Sequence, residues 1–151
     1  MLRTRLNDAL KDAMKAKEAR ATSTLRLILA ALKDRDIAER TKGNGDGLGD
    51  EQILEMLQKM VRQRHDSIEM YTKGGRDDLA KREGEEIEVI ERFLPKQMDE
   101  TDMRAAIESV IGELGASSVK DMGRVMGTLK ERYPGRMDFG KASGIVKEAL
   151  V

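Results

Sequence analysis

The stretch DEQILEMLQKMVRQRHDSIEMYTKGGRDDLAKREGEEIEVIERFLP, residues 50–95, decides the fold class. Its apolar residues Ile53, Leu57, Met60, Val61, Ile68 and Tyr71 recur at helical spacing, with Arg64 on the same face. Asp50 is expected to cap this helix by accepting a backbone N–H bond. Gly74-Gly75 stops it, since glycine costs about 1 kcal/mol in a helix interior. Asp77 or Asp78 starts a second helix, with Leu79, Ile87, Ile90, Phe93 and Leu94 facing inward. Pro95 ends it, because the residue before a proline is pushed out of the helical region. Two helices joined by a short turn pack antiparallel, so an all-α chain is expected.

The same period extends outward. On the N-terminal side, Leu2, Leu6, Ala9, Leu10, Ala13 and Met14 form one apolar face of a helix fading near Glu18. Thr22 or Ser23 is expected to cap the next, whose buried stripe is Leu25, Ile28, Leu29, Leu32 and Ile37. Residues 41–49, TKGNGDGLG, cannot hold a helix and read as a flexible loop. On the C-terminal side the elements are shorter. Asp99 caps a helix with Ile107, Val110, Ile111 and Leu114, closed by Gly115. Ser117 or Ser118 opens one with Met122, Val125, Met126, Leu129 and Tyr133. After the turn at Pro134-Gly135, Asp138 caps the last, with Ala142, Ile145, Val146 and Leu150. Gly123 and Gly127, four apart, leave room for a neighbouring helix to approach closely. The expected organisation is a four-helix part over residues 1–95 and a small three-helix bundle over 96–151.

Composition limits the chemistry. The 151 residues contain no Cys, which excludes disulfides, thiol catalysis and cysteine metal sites. Charged residues make up 37% and sum to zero, so no global field draws in nucleic acid. The charge is uneven: residues 1–40 hold ten Lys/Arg and six Asp/Glu, and residues 41–95 hold nine and thirteen. No apolar run approaches the roughly 20 residues of a membrane span, and the N-terminus lacks the pattern of a signal peptide. The expected location is the cytoplasm, and the expected state a monomer.

Few residues point to chemistry. The loop glycines 43, 45, 47 and 49 are followed by Asp50 and Glu51, where a P-loop would need Lys and Ser/Thr. Asn44, Asp46, Gly49 and Glu55 approximate a calcium loop, but Leu48 falls on a ligand position. His65 has no second His or Cys for a metal site and reads as structural. The serines lie outside any strand-to-helix nucleophile turn. No metal or cofactor is expected. Glu83, Glu85, Glu86, Glu88 and Glu91 could supply a carboxylate pair, but salt bridges to Lys59, Arg62 and Arg64 on the preceding helix are the simpler reading. Cations remain as candidates for phosphate contacts: Lys59, Arg62 and Arg64 in the first part, and Arg124, Lys130 and Arg136, with Arg132 and Lys141 nearby, in the second. The lack of stacking aromatics argues against reading single strands.

The run KMVRQRHDSIEMYTKGGRDDLAKREGEEIEVIERFLPKQMDE, residues 59–100, resembles the core signature of the YqeY family, at Lys59, Arg62, Arg64, Ser67, Tyr71, Arg76, Leu79, Glu83, Glu86, Leu94, Pro95 and Gln97. LRLILAALK at 25–33 fits as well. Residues 121–150 resemble both that family and the C-terminal tail of the GatB subunit of glutamyl/aspartyl-tRNA amidotransferase, through Met122-Gly123, Val125-Met126, Gly135-Arg136, Asp138 and Val146-Lys147. The resemblance covers essentially the whole chain. It departs at Phe93, where the family often has Tyr, and in its glycine-rich loop. It implies an accessory protein that binds tRNA or a tRNA–amidotransferase complex. The family is associated with carbon–nitrogen ligases using glutamine as amido-N-donor, but this chain has only the tail-like portion, without the cradle for ATP and the aminoacyl end, so catalysis by it alone is not expected. The alternative is a helical protein-interaction adaptor without RNA contact, with a protein partner in tRNA metabolism.

Overall fold

The computed structural model describes all 151 residues and is all-α. Seven helices follow one another: α1 Leu2–Lys15, α2 Ala19–Thr41, α3 Asp50–Lys73, α4 Asp77–Glu91, α5 Glu100–Leu114, α6 Met122–Arg132 and α7 Phe139–Leu150. A single 3₁₀ turn, Val119–Asp121, leads into α6. No helix is long and apolar enough to cross a membrane. The chain divides into two compact units, Met1–Leu94 and Pro95–Val151.

In the first unit, α1 to α4 enclose a core whose fully buried members include Leu6, Leu25, Ile28, Ile53, Leu57 and Ile90. α3 and α4 make its most extensive helix pairing. The stripes follow the sequence pattern with some exchanges. Met56 and Val89 are buried too, while Met14 and Ile37 face out. In the second unit, Ile107, Val110, Val125, Leu129, Met137, Ala142 and Val146 form a separate core. Gly123 and Gly127 are exposed, and a Cβ at either would meet nothing within 4 Å, so the close helix approach expected there does not occur within the chain.

Local chemistry explains the helix ends. α1, α3 and α5 close on left-handed residues, Lys17, Gly75 and Gly115. In each, the next N–H reaches back five residues: Glu18 to Ala13, Arg76 to Tyr71 and Ala116 to Ile111, at 2.8 to 3.1 Å. The closure at Lys17 is tight enough for α2 to begin at Ala19. Thr22 and Ser23 therefore lie inside the helix instead of capping it. Asp99 and Asp138 cap as expected, accepting from Asp102 N–H and from Gly140 and Lys141 N–H. Asp50 does not cap α3. It is the first helical residue, and its carboxylate accepts from Leu2 N–H at 3.3 Å.

The glycine loop is anchored on one side. Asp36, buried at the end of α2, accepts from both Arg3 Nη atoms and from Leu48 N–H at 2.9 Å. Arg3 also donates to the Leu48 carbonyl at 3.0 Å. Leu48 inserts into the core. Gly47 has φ +76°, and a Cβ there would run into the Asp36 carboxylate. The expectation of a wholly flexible loop thus fails for Gly47 and Leu48, and Asn44 is tied as well, its N–H to the Glu39 carbonyl and its Nδ2 to the Gly47 carbonyl, both at 3.0 Å.

Candidate functional site

Helical spacing builds a cleft in the first unit. Gln63, Ser67 and Tyr71 recur every fourth residue along α3. Leu79, Arg82, Glu83 and Glu86 share one face of α4. With Arg64, and with Leu27 from α2, these side chains line a cleft of about 400 Å³. Arg64, Ser67, Tyr71, Leu79, Glu83 and Glu86, scattered over 23 positions of the signature, come together there.

Charges inside the cleft are mutually engaged. Arg64 Nε lies 2.9 Å from Glu86 Oε2 and 4.0 Å from Glu83 Oε2, and its Nη1 donates to the Met60 carbonyl. Arg82 Nε approaches the other Glu86 oxygen at 3.7 Å. The Glu86 carboxylate is buried, and the Arg64 side chain is only 13% exposed. The lining thus balances two guanidiniums against two carboxylates. Glu86 is a structural acceptor, and the salt-bridge reading of the acidic run holds for Arg64, Glu83 and Glu86. Glu85 pairs instead with Arg20 at 3.1 Å. No group of three or more His, Cys, Asp or Glu is placed to hold a metal ion.

The cations singled out in the sequence fall in different settings. Lys59 and Arg62 are exposed on α3, as is His65. Arg64 is turned inward, as described. In the second unit, Lys130 is exposed on α6. Arg124 Nη2 holds Asp121 Oδ1 at 2.9 Å. Asp121 also accepts from Ser117 and Ser118 N–H at the entry to the 3₁₀ turn. The Ser117 N–H bond first, then Arg124, and more weakly the Ser118 N–H, hold its carboxyl below the usual range. Arg136 is half-buried, its Nε donating to the Lys96 carbonyl at 3.1 Å. Met98 N–H returns a bond to the Arg136 carbonyl at 2.8 Å, and Gln97 Nε2 donates to Gly135. Arg136 therefore helps clamp the Pro134–Gly135 turn onto residues 96–98. Arg132 is paired with Glu113. Three of the six candidates belong to the first unit and three to the second. Arg124 and Lys130, six residues apart on α6, point about 120° apart around its axis.

A feature missed in the sequence is charge segregation within the second unit. Residues 117–147 carry seven Lys/Arg against three Asp/Glu, and residues 96–116 carry two against five. A zero sum over residues 96–151 hides it, and a count in shorter windows would have found it. Along the chain, α6 carries Arg124, Lys130 and Arg132 against Glu131, α7 carries Lys141 and Lys147 against Glu148, and α5 carries Arg104 against Glu100, Asp102, Glu108 and Glu113.

A family model described as Yqey-like protein matches residues 3–150. Curated relatives carry the name "Altered inheritance of mitochondria protein 41, mitochondrial". The one from Lachancea thermotolerans is 32% identical over 115 residues, covering 75% of this chain and 59% of the relative. The one from Candida glabrata is 39% identical over 90 residues, covering 59% and 47%. That of Eremothecium gossypii is 35% identical over 89 residues, covering 59% and 46%. The chain thus spans about half the length of the curated relatives it matches.

Proposed function

The chain belongs to the YqeY family, and from that premise we propose that it is an accessory module that binds folded tRNA, alone or within a tRNA–amidotransferase complex, without chemistry of its own. The observation that carries this reading is the basic bias of residues 117–147, where Lys130 and Arg124 stand exposed on α6. Cations on rigid helices supply sequence-independent affinity for a phosphate backbone. The engagement of Glu83 and Glu86 by Arg64 and Arg82 supports the second half of the proposal, since neither acid is left poised as a general base. Lys59 and Arg62 are secondary contacts in this reading. Arg64 and Arg136 serve it as supports, holding the α3–α4 cleft and the Pro134–Gly135 turn.

The test is a fluorescence-anisotropy titration of labelled folded tRNA at several salt concentrations, with an unstructured RNA as competitor. Saturable binding is expected, preferring the folded RNA. Log K should fall linearly with log salt, at roughly 0.7–0.9 per phosphate engaged. Arg124→Glu with Lys130→Glu should weaken it at least about tenfold, which is about 1.4 kcal/mol, with helical circular dichroism unchanged. Equal weak binding to both RNAs, or a double variant that binds as well as wild type, would remove the reading.

A further inference from the structure

α2 carries apolar residues on two opposite sides. Leu25, Ile28 and Leu32 face the core. On the far side, Leu27, Ala30, Asp34, Ile37 and Thr41 follow one another at alternating steps of three and four, the spacing of a helix–helix seam. All five are exposed, with Leu27 at 48% and Ile37 at 50%, and Leu27 also borders the α3–α4 cleft. Beside the seam run Arg26, Lys33 and Arg40, seven residues apart and all exposed. Seven residues make nearly two whole turns, so these cations form a line parallel to the axis, about 10.5 Å from one to the next. They occupy the position that, in paired helices, forms salt bridges across the seam.

We propose that this outward face of α2 docks an amphipathic helix of another protein, one with acidic residues flanking an apolar stripe and a cation facing Asp34. Charge selects that occupant over a second copy of this chain. Two α2 helices packed antiparallel would set the cation lines against each other, and packed parallel they would set Asp34 against Asp34. The apolar seam selects a helix over a phosphate backbone, which would leave Leu27 and Ile37 without a partner. The seam belongs to the first unit, and the α6 and α7 cations belong to the second.

The probe is a labelled 21-residue helical peptide with leucines along its stripe, one lysine placed to face Asp34, and glutamates on the flanks. A twin carries lysines on the flanks. Both are titrated against the full chain by anisotropy at low and high salt. The glutamate peptide should bind saturably, weaken with salt, and bind at least ten times better than its twin. Arg26→Glu with Lys33→Glu should reverse that preference. Arg40 is left in place because its charge also acts on Asp36. Leu27→Ser with Ile37→Ser, which touches no charge, should weaken both peptides. Absent binding, equal affinity for the two peptides, or an unreversed preference overturns the proposal. So does a charge variant that loses folded tRNA while keeping the glutamate peptide, because the line of cations would then be a phosphate contact.

Discussion

At the scale of single residues, Asp36 joins three segments. It ties the first turn of α1, through Arg3, to the end of α2 and to the loop before α3. The Arg3 hydrogen bond, helped by Leu48 N–H, holds its carboxyl below the usual carboxylate range against the opposing effect of burial. A carboxyl depressed in the folded state stabilises fully above its unfolded pKa of about 4, and that stability is lost as the pH falls through the folded value. Asp36→Asn should therefore cost about 2 kcal/mol at pH 7, the scale of hydrogen bonds to a charged group. The deficit should shrink below pH 4, as read from urea unfolding at each pH. A variant equally destabilised at pH 7 and pH 3 would contradict the assignment. The sequence concealed this anchor because its members lie 33 and 12 positions from Asp36, and an Asp late in a polar helix has no local mark of burial. The Arg64–Glu86 pair was legible, because a hairpin of helices brings residues 22 apart face to face.

At the scale of elements, local signals were read well and competing ones badly. Asp99, Gly115 and Asp138 each act on neighbours within a few residues, and all three took their expected places. Thr22 and Ser23 misled because a left-handed Lys17, which no propensity favours, closes α1 early. Thr24 is buried, and its hydroxyl donates to the Arg20 carbonyl within the helix. Ile37 faces out, against the inward expectation, because apolar residues on both sides of α2 blur its period. The α3–α4 cleft has no local mark in the sequence because its lining comes from three helices. Gly123 and Gly127 yield a prediction at this scale. Both sit within α6 with open space where a Cβ would stand. Replacing each with Ala should raise stability by about 0.5–1 kcal/mol, the helix cost of glycine. Thermal melts test this directly. A destabilised double variant would mean that α6 meets a neighbour after all.

At the scale of the molecule, each unit owns a core, and no buried residue belongs to both. The all-α class was legible throughout, because helical periodicity needs no long-range information. The fragments 1–94 and 95–151 should each stay helical when produced separately. The smaller should melt at lower temperature, since a chain of about 60 residues buries only about 60% of its unfolded surface. Circular dichroism melts of both fragments and the full chain check this, and a random-coil spectrum from either would contradict it. The anchored loop has a further consequence for the first unit. Its tip, Gly43 to Asp46, is exposed, while Asp36 of α2 and Leu48 hold the segments on either side. A protease cutting at Gly45 would sever the covalent link and little else, so the pieces should co-migrate under native conditions and part only in denaturant. The same spot is where a foreign peptide tag, or the break of a split reporter, could be placed with the fold intact.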